Sequence, residues 1–279
     1  MRIYPLIVCA ALAVSCLPED NYHPAETPEP GPEQTDPKEQ TTPQDQIALE
    51  KNDKGLYILK NQKVYETGVE PSGLSSIILN QKGDGFYVAH DEGTLYEIGF
   101  DGTVKNTVPL DPVNDWEGLT IDRATGTIYI CAERERKIYK ADVATKKATL
   151  VLAGINEGSA DNRGYEGLAY GDGKFFIANQ EKPKRIYTYD VASGTLLGSV
   201  DLEFPAYLSD LCYDDRDGTL WLTDSKRQVL SNIKTDGTII AQYDISFVQK
   251  PEGFCLDTAH NLFWFVCDNT NKLHSASYK

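Results

Sequence analysis

The chain has 279 residues, 41% hydrophobic and 25% charged, with a formal net charge of −15 and a pI near 4.7. That length buries a sizeable core in one large domain or two small ones. The acidity argues against a nucleic-acid partner, because no basic stripe exists to neutralise phosphates.

The chain opens with Met1-Arg2, the apolar run Ile3–Val14 and Ser15-Cys16. The run is too short to span a bilayer and has the layout of a secretory signal over residues 1–16. "LAVSC" resembles a bacterial lipobox, with Ala13 where that motif has leucine, and cleavage would leave Cys16 as a lipid-modified N-terminus. The alternative is an ordinary signal peptide with a chance cysteine. Residues 17–50 then hold nine carboxylates against Lys38, a net of −8, and seven prolines. With few apolar groups to offset its ordering entropy, this segment reads as an extended, solvated tether. The expected location is a membrane-anchored lipoprotein on the outer membrane or cell surface, reached through the lipid at Cys16.

From residue 54 to 279 an internal period takes over. Its anchors are Ser75 in "LSSIIL", Glu117 in "WEGLTI", Glu166 in "YEGLAY", Ser209 in "LSDLCY" and Glu252 in "PEGFCL", spaced by 42, 49, 43 and 43 residues. Each opens a strand with apolar residues two and four places on, and a mostly small residue between them: Ile78, Thr120, Ala169, Cys212, Cys255. A Gly- or Asp-rich turn leads to a β-branched and aromatic strand such as "IYIC" or "FWFVC", then to a third and an outer strand. Four short antiparallel strands per repeat predict an all-β, five-bladed β-propeller. Only 28 residues remain from Glu252 onward, enough for three strands. The N-terminal stretch Leu56–Thr67 is expected to supply the fourth and close the ring. The long gap before Glu166, Ala153–Asn162, reads as an extended loop on the anchor face.

The first residue of an innermost strand sits at one rim of the central channel. Glu117, Glu166 and Glu252 should therefore converge, with Ser75 and Ser209 completing the ring and Gly118, Gly167 and Gly253 letting the backbone turn. At about 7 Å and an effective dielectric near 20, each carboxylate pair repels by about 2.4 kcal/mol, about 7 kcal/mol for three. That rivals a typical domain's whole stability, so a cation, a proton or basic neighbours must compensate. The second strands end in another set of acids, Asp91, Glu133, Glu181, Asp224 and Asp268, several followed by Lys or Arg. These either join the site, Glu133 and Glu181 foremost, or cap turns and pair with the nearby cations. Carboxylates without a cluster of histidines or thiolates point to a hard cation, Ca²⁺. Cys131, Cys212, Cys255 and Cys267 read as small buried apolar residues; an exported protein could instead pair them, in three ways.

"DWEGL", "GYEGLAY…ANQEKPKRIY", "LSDLCYDDRDGTLWLTDSKR" and "KPEGFCLD" together resemble the SdiA-regulated family of exported bacterial proteins, over about Gly68 to Asp268. The resemblance implies a five-bladed propeller, distantly similar to NHL-repeat propellers, with a bound calcium ion. The family's Glu-Gly glutamates fall on Glu117, Glu166 and Glu252; Ser75-Ser76 and Ser209-Asp210 depart from the pattern, which shifts any ion off-axis toward blades two and three.

The favoured reading is a monomeric binding or structural module. Its ligand, a glycan, peptide or small molecule, would meet Trp116, Tyr165 and Tyr207 at the channel mouth, unless these aromatics pack between blades. The alternative is a Ca²⁺-dependent hydrolase of lactones or phosphoesters, with Glu133 or Glu181 as base. No G-x-S-x-G elbow supports a serine hydrolase.

Overall fold

A computed structural model describes residues 49–155 and 163–279; the signal segment with Cys16, the tether to residue 48 and loop residues 156–162 lie outside it. Among the described residues there is no helix, and the strands form five sheets of four or five strands. Each repeat makes one blade. The inner strands are Leu74–Leu79, Trp116–Asp122, Tyr165–Gly171, Leu208–Asp214 and Pro251–Asp257, in blades one to five. Every inner strand pairs antiparallel with the strand that follows it, as the two-residue alternation and the tight turns require.

The core is divided into layers between neighbouring blades. Trp116, Leu119 and Ile130 of blade two pack with Ile78, Ala89 and Leu95 of blade one, and Leu168 and Ile177 of blade three pack with Cys131 and Ile138 of blade two. Leu211 and Leu222 meet Phe176 and Ile186, and Phe254, Phe263 and Phe265 meet Trp221 and Leu230. The fifth layer joins Val266 and Leu273 of blade five to Ile77, Phe86 and Val88 of blade one, so the ring is closed. Burying each of these large side chains contributes about 1.5–3 kcal/mol.

The expected single closing strand over Leu56–Thr67 divides in two. Lys60–Glu66 runs antiparallel to Lys272–Ser277 and completes blade five. Tyr57–Ile58 instead pairs in parallel with Tyr243–Asp244 and covers the outer edge of blade four. Leu59, 2% exposed, lies between the two and enters the core layer of blades four and five. Packing begins before residue 54: Leu49 joins the same layer, and Ile58 N donates to Glu50 O at 2.8 Å.

The glycines after the glutamates have a different role from the turn expected of them, since none of the three holds a positive φ. They permit close approach of neighbouring inner strands. A Cβ on Gly118 would stand 2.4 Å from Leu168 N, one on Gly167 2.6 Å from Leu211 N, and one on Gly253 2.7 Å from Ser76 Cα. Two residues farther along, Thr120 Oγ1 accepts from Tyr170 N of the next blade at 2.9 Å.

The contacts around Gly167 are with backbone, which cannot swing aside. Gly167→Ala is expected to destabilise by about 1–3 kcal/mol through overpacking. At about 2–4 °C per kcal/mol the melting temperature falls by several degrees. Gly198→Ala, where no atom lies within 4 Å, is the control and should change little. Equal melts for the two variants would remove the close-approach explanation.

Candidate metal centre

Each inner strand slips register at its anchor, between Leu74 and Ser76, Trp116 and Leu119, Tyr165 and Gly167, Leu208 and Asp210, and Pro251 and Gly253. One extra residue at each slip makes a β-bulge, which breaks the alternation and re-aims the anchor side chain. In blades one and four the re-aimed residue is serine, and it ties blades together. Ser75 Oγ donates to Trp116 O at 2.7 Å, and Ser209 Oγ to Pro251 O at 3.1 Å. In blades two, three and five it is glutamate, and Glu117, Glu166 and Glu252 line one cavity of about 130 Å³ with Asp91, Gln180, Tyr207, Lys250 and Asp268. The convergence read from the repeat is present.

The cluster is densest at blade two. Asp115, Glu117 and Glu133 each place a carboxylate oxygen within 4.8 Å of the others. At that separation and an effective dielectric of about 20, each pair of charges costs roughly 3.5 kcal/mol, so three cost about 10 kcal/mol. Glu133 is fully buried; its Oε1 accepts from Gly164 N at 3.2 Å, and its Oε2 has no hydrogen-bond partner. Glu166, also buried, accepts at Oε1 from Gln180 Nε2 at 2.6 Å. Arg134 Nε reaches Asp115 Oδ2 at 2.9 Å from a largely exposed position, and Lys250 sits between Asp268 and Glu252, 3.7 Å from Glu252 Oε1. Lys250 holds this place with φ +47°, a left-handed conformation that costs a residue with a side chain about 1–3 kcal/mol.

Burial, reinforced by Glu133 and Asp115, drives the Glu117 carboxyl well above its ordinary range. Burial does the same to Glu166, with Glu117 and Glu133 adding to it. Glu133 and Asp115 are raised by burial as well, Arg134 opposing the rise at Asp115. Glu252 is lifted to about 7 by burial, with Lys250 pulling the other way. Five neighbouring carboxyl groups that resist ionisation hold a charge deficit that protons or a cation must fill. The donor set fits a hard cation, for it is all oxygen and includes a buried carboxylate oxygen without a donor.

Other expected site residues lie elsewhere. Glu181 is absent from the cavity wall and pairs with Arg163 at 2.8 Å. Asp224 caps a loop, accepting from Ala206 N at 2.7 Å and Tyr207 N at 3.2 Å. Trp116 and Tyr165 are 0% exposed and belong to the layers between blades, so only Tyr207 of the three aromatics faces the cavity. Their side chains alternate with the bulged glutamate and are sent to the opposite side. His90, buried, faces Pro71 O through Nε2 at 3.1 Å.

Asp115, Gln180 and Lys250 complete the site without having been singled out. Asp115 was legible in "DWEGL", two places before the anchor and therefore on its side of the strand. Asp210 stands at the waist of the channel. Its Oδ2 accepts from Ser76 Oγ of blade one at 3.0 Å and Phe254 N of blade five at 2.9 Å, while Oδ1 accepts from Leu211 N at 2.8 Å. Beyond the waist lies a second chamber of about 190 Å³ lined by Ile77, Leu119, Leu211, Phe254 and the thiols of Cys212 and Cys255. All four cysteines of the propeller are free, and burial lifts Cys212 to about 12 and Cys255 higher, so neither is a thiolate at neutral pH.

The fold recurs in solved structures of low sequence identity. A glutaminyl cyclase from Myxococcus xanthus superposes with a TM-score of 0.60 at 14% identity, covering 78% of this chain and 95% of that one. A gluconolactonase from Xanthomonas campestris gives 0.54 at 14%, covering 78% and 90%, and the protein U3-55K gives 0.51 at 6%, covering 78% and 99%. At such identities the likeness shows the propeller alone. Residues 57–203, just over half of the sequence, match the family described as SdiA-regulated. The chain is a five-bladed β-propeller that belongs to the SdiA-regulated family.

Proposed function

We propose that this propeller holds Ca²⁺ in the acidic cup and serves as a binding or structural module of the bacterial cell envelope, anchored by a lipid at Cys16. The supporting observation is Glu133 Oε2: a fully buried carboxylate oxygen with no donor, among acids that repel one another and that Arg134 meets at Asp115. An ion bound by Asp115, Glu117 and Glu133 gives that oxygen its missing partner and lies off-axis beside blades two and three. Its ligand would enter at the cavity mouth between Tyr207 and Lys250.

A second reading, a Ca²⁺-dependent hydrolase of lactones or phosphoesters, is favoured by Glu252. A carboxyl raised to about 7 and facing the cavity is poised to accept a proton at neutral pH. A bound cation would supply Lewis acidity there. The glutaminyl cyclase and gluconolactonase are enzymes built on the same fold, which permits catalysis without assigning it. Turnover of a lactone or phosphoester panel, lost on chelation and in Glu252→Gln, would decide for this reading.

Calcium at about a hundred times its dissociation constant stabilises the folded state by about 2.7 kcal/mol. Melting should therefore rise by about 5–10 °C over metal-stripped protein. Glu117→Gln, which removes one of the three proposed ligands, is expected to abolish most of that rise. An unchanged melt on adding Ca²⁺ or EDTA to stripped protein would sink the calcium reading.

The pH dependence of the metal-free protein has a definite sign. A carboxyl whose folded value is raised contributes stability that is fully present below its unfolded value and is lost as pH climbs through the folded one. For Glu252 the window runs from 4.5 to about 7 and is worth on the order of 3 kcal/mol. Glu117, Glu133 and Glu166 act in the same direction. Stripped protein should melt lower at pH 7.5 than at pH 5, and saturating Ca²⁺ should close most of the gap. A stripped protein more stable at pH 7.5 would contradict the buried-carboxyl account.

A further inference from the structure

The cup divides by charge. Asp115, Glu117 and Glu133 form the group assigned to calcium, and Arg134 meets it at Asp115. Three carboxylates are neutralised by one divalent ion and one guanidinium. The rest of the cavity wall is not balanced. When ionised, Asp91, Glu166, Glu252 and Asp268 face Lys250 alone, a net of −3 with His90 neutral. Among the described residues no second group of three carboxylates converges as Asp115, Glu117 and Glu133 do, so another metal ion does not supply the balance.

Gln180 is a separate signal on that wall. It is 0% exposed and lines the cavity. Its Nε2 donates to Glu166 Oε1 at 2.6 Å and Leu208 O at 3.5 Å, both acceptors, which fixes the orientation of the amide. Oε1 is left without a donor. An amide oxygen does not take up a proton at neutral pH, so the partner it lacks is an N–H or O–H.

A single ammonium group meets both requirements. The oxygen and nitrogen of one amide are about 2.3 Å apart, so Gln180 Oε1 lies within about 5 Å of Glu166 Oε1. At ordinary hydrogen-bond lengths the tetrahedral N–H directions of one ammonium separate its acceptors by about 4.5–5 Å. The wall already seats such a group: Lys250 Nζ pairs with Asp268 and stands 3.7 Å from Glu252 Oε1. Tyr207 lies beside the same acids, since Glu166 and Glu252 add to burial in raising its phenol, and its ring offers a surface for a methylene stem. The cavity of about 130 Å³ is well below the 300–1,000 Å³ or so that encloses a drug-sized ligand, so it takes one end group of a larger molecule.

We propose that the front of the cup binds the primary ammonium end of an alkylamine, which donates to Gln180 Oε1 and Glu166 while Glu252 and Asp268 supply counter-charge. This rests on the binding-module reading above and names its ligand; the calcium ion keeps to Asp115, Glu117 and Glu133.

Calorimetry on the full chain, loaded with Ca²⁺ at pH 7.5, tests it with four probes. Butylamine represents a free amine and Nα-acetyl-lysine amide a peptide side chain. Butanol lacks the charge, and tetramethylammonium has the charge without an N–H. At least one amine should bind at least tenfold more tightly than butanol and tetramethylammonium, and the better of the two identifies the source. Gln180→Met and Glu166→Gln should each weaken that binding at least tenfold while keeping the Ca²⁺-induced rise in melting temperature. Glu181→Gln, off the wall, should leave it unchanged, and circular dichroism checks that each variant is folded. No binding of either amine to protein that still responds to Ca²⁺ overturns the ammonium site and leaves the calcium reading standing. Equal affinity for butanol or tetramethylammonium overturns it too, as does wild-type binding in both wall variants. Amine binding in a protein indifferent to Ca²⁺ upholds the ammonium site and rejects calcium alone.

Discussion

Five inner strands can meet around one axis only where their side chains shrink almost to nothing, and that steric constraint organises the rest of the molecule. At the waist of the channel the ring positions are Ser76, Gly118, Gly167, Asp210 and Gly253. Three have no side chain, and the other two point theirs at each other across the opening, 3.0 Å apart. The strands come so close there that a methyl group on any of the three glycines would meet the neighbouring blade's backbone. The bulge one residue earlier follows from this geometry. A strand that converges at its glycine must splay just before it, and the extra residue at the splay is the one turned toward the cavity. Glu and Gly therefore form one unit: the glycine makes the waist, and the glutamate is placed above it.

The same constraint determines the electrostatics. The waist holds the carboxylates above it in a space from which water is largely excluded, where they repel and resist ionisation. Full ionisation of Asp115, Glu117 and Glu133 would cost about 10 kcal/mol, comparable to the net stability of a domain, about 5–15 kcal/mol, which is why these groups retain protons in the absence of a cation. The five layers between blades frame this cluster with large buried side chains, among them Trp116, Tyr165, Phe254, Phe263 and Phe265. Trp116 and Tyr165, adjacent to the glutamates, thus serve the site through packing. They hold the bulged strand against its neighbours while the next residue strains outward.

The blade count, the strand order and the three converging glutamates were all legible in the sequence, because a repeat of 42–49 residues registers each blade against the others. Three features were not. The side to which Trp116 and Tyr165 point depends on the bulge, and periodicity assigns alternation but not its interruption. The fate of the second-strand acids depends on a local partner: Glu181 has Arg163 beside it, whereas Glu133 faces Gly164 N and other carboxylates. The division of Leu56–Thr67 between two blades turns on Leu59, whose side chain is buried between them. In each case the deciding partner lies in another segment of the chain.

The departures from the Glu-Gly pattern carry as much function as the pattern itself. With glutamate at all five anchors, carboxylates would press on one another around the whole rim. Serine in blades one and four turns two of the five anchors into ties, Ser75 to Trp116 O and Ser209 to Pro251 O. Each tie fastens the carbonyl of the residue immediately before a glutamate, Trp116 before Glu117 and Pro251 before Glu252, and so braces the strand whose carboxylate bears the repulsion. Asp210 takes the place of a glycine, and its carboxylate gathers backbone N–H groups from blades four and five with the hydroxyl of blade one, bracing the side opposite the dense cluster. The ring is thus divided between blades that concentrate charge and blades that hold them in place. The dense acid cluster accordingly lies off-axis at blade two, and Lys250 lines the adjoining cavity beside Glu252.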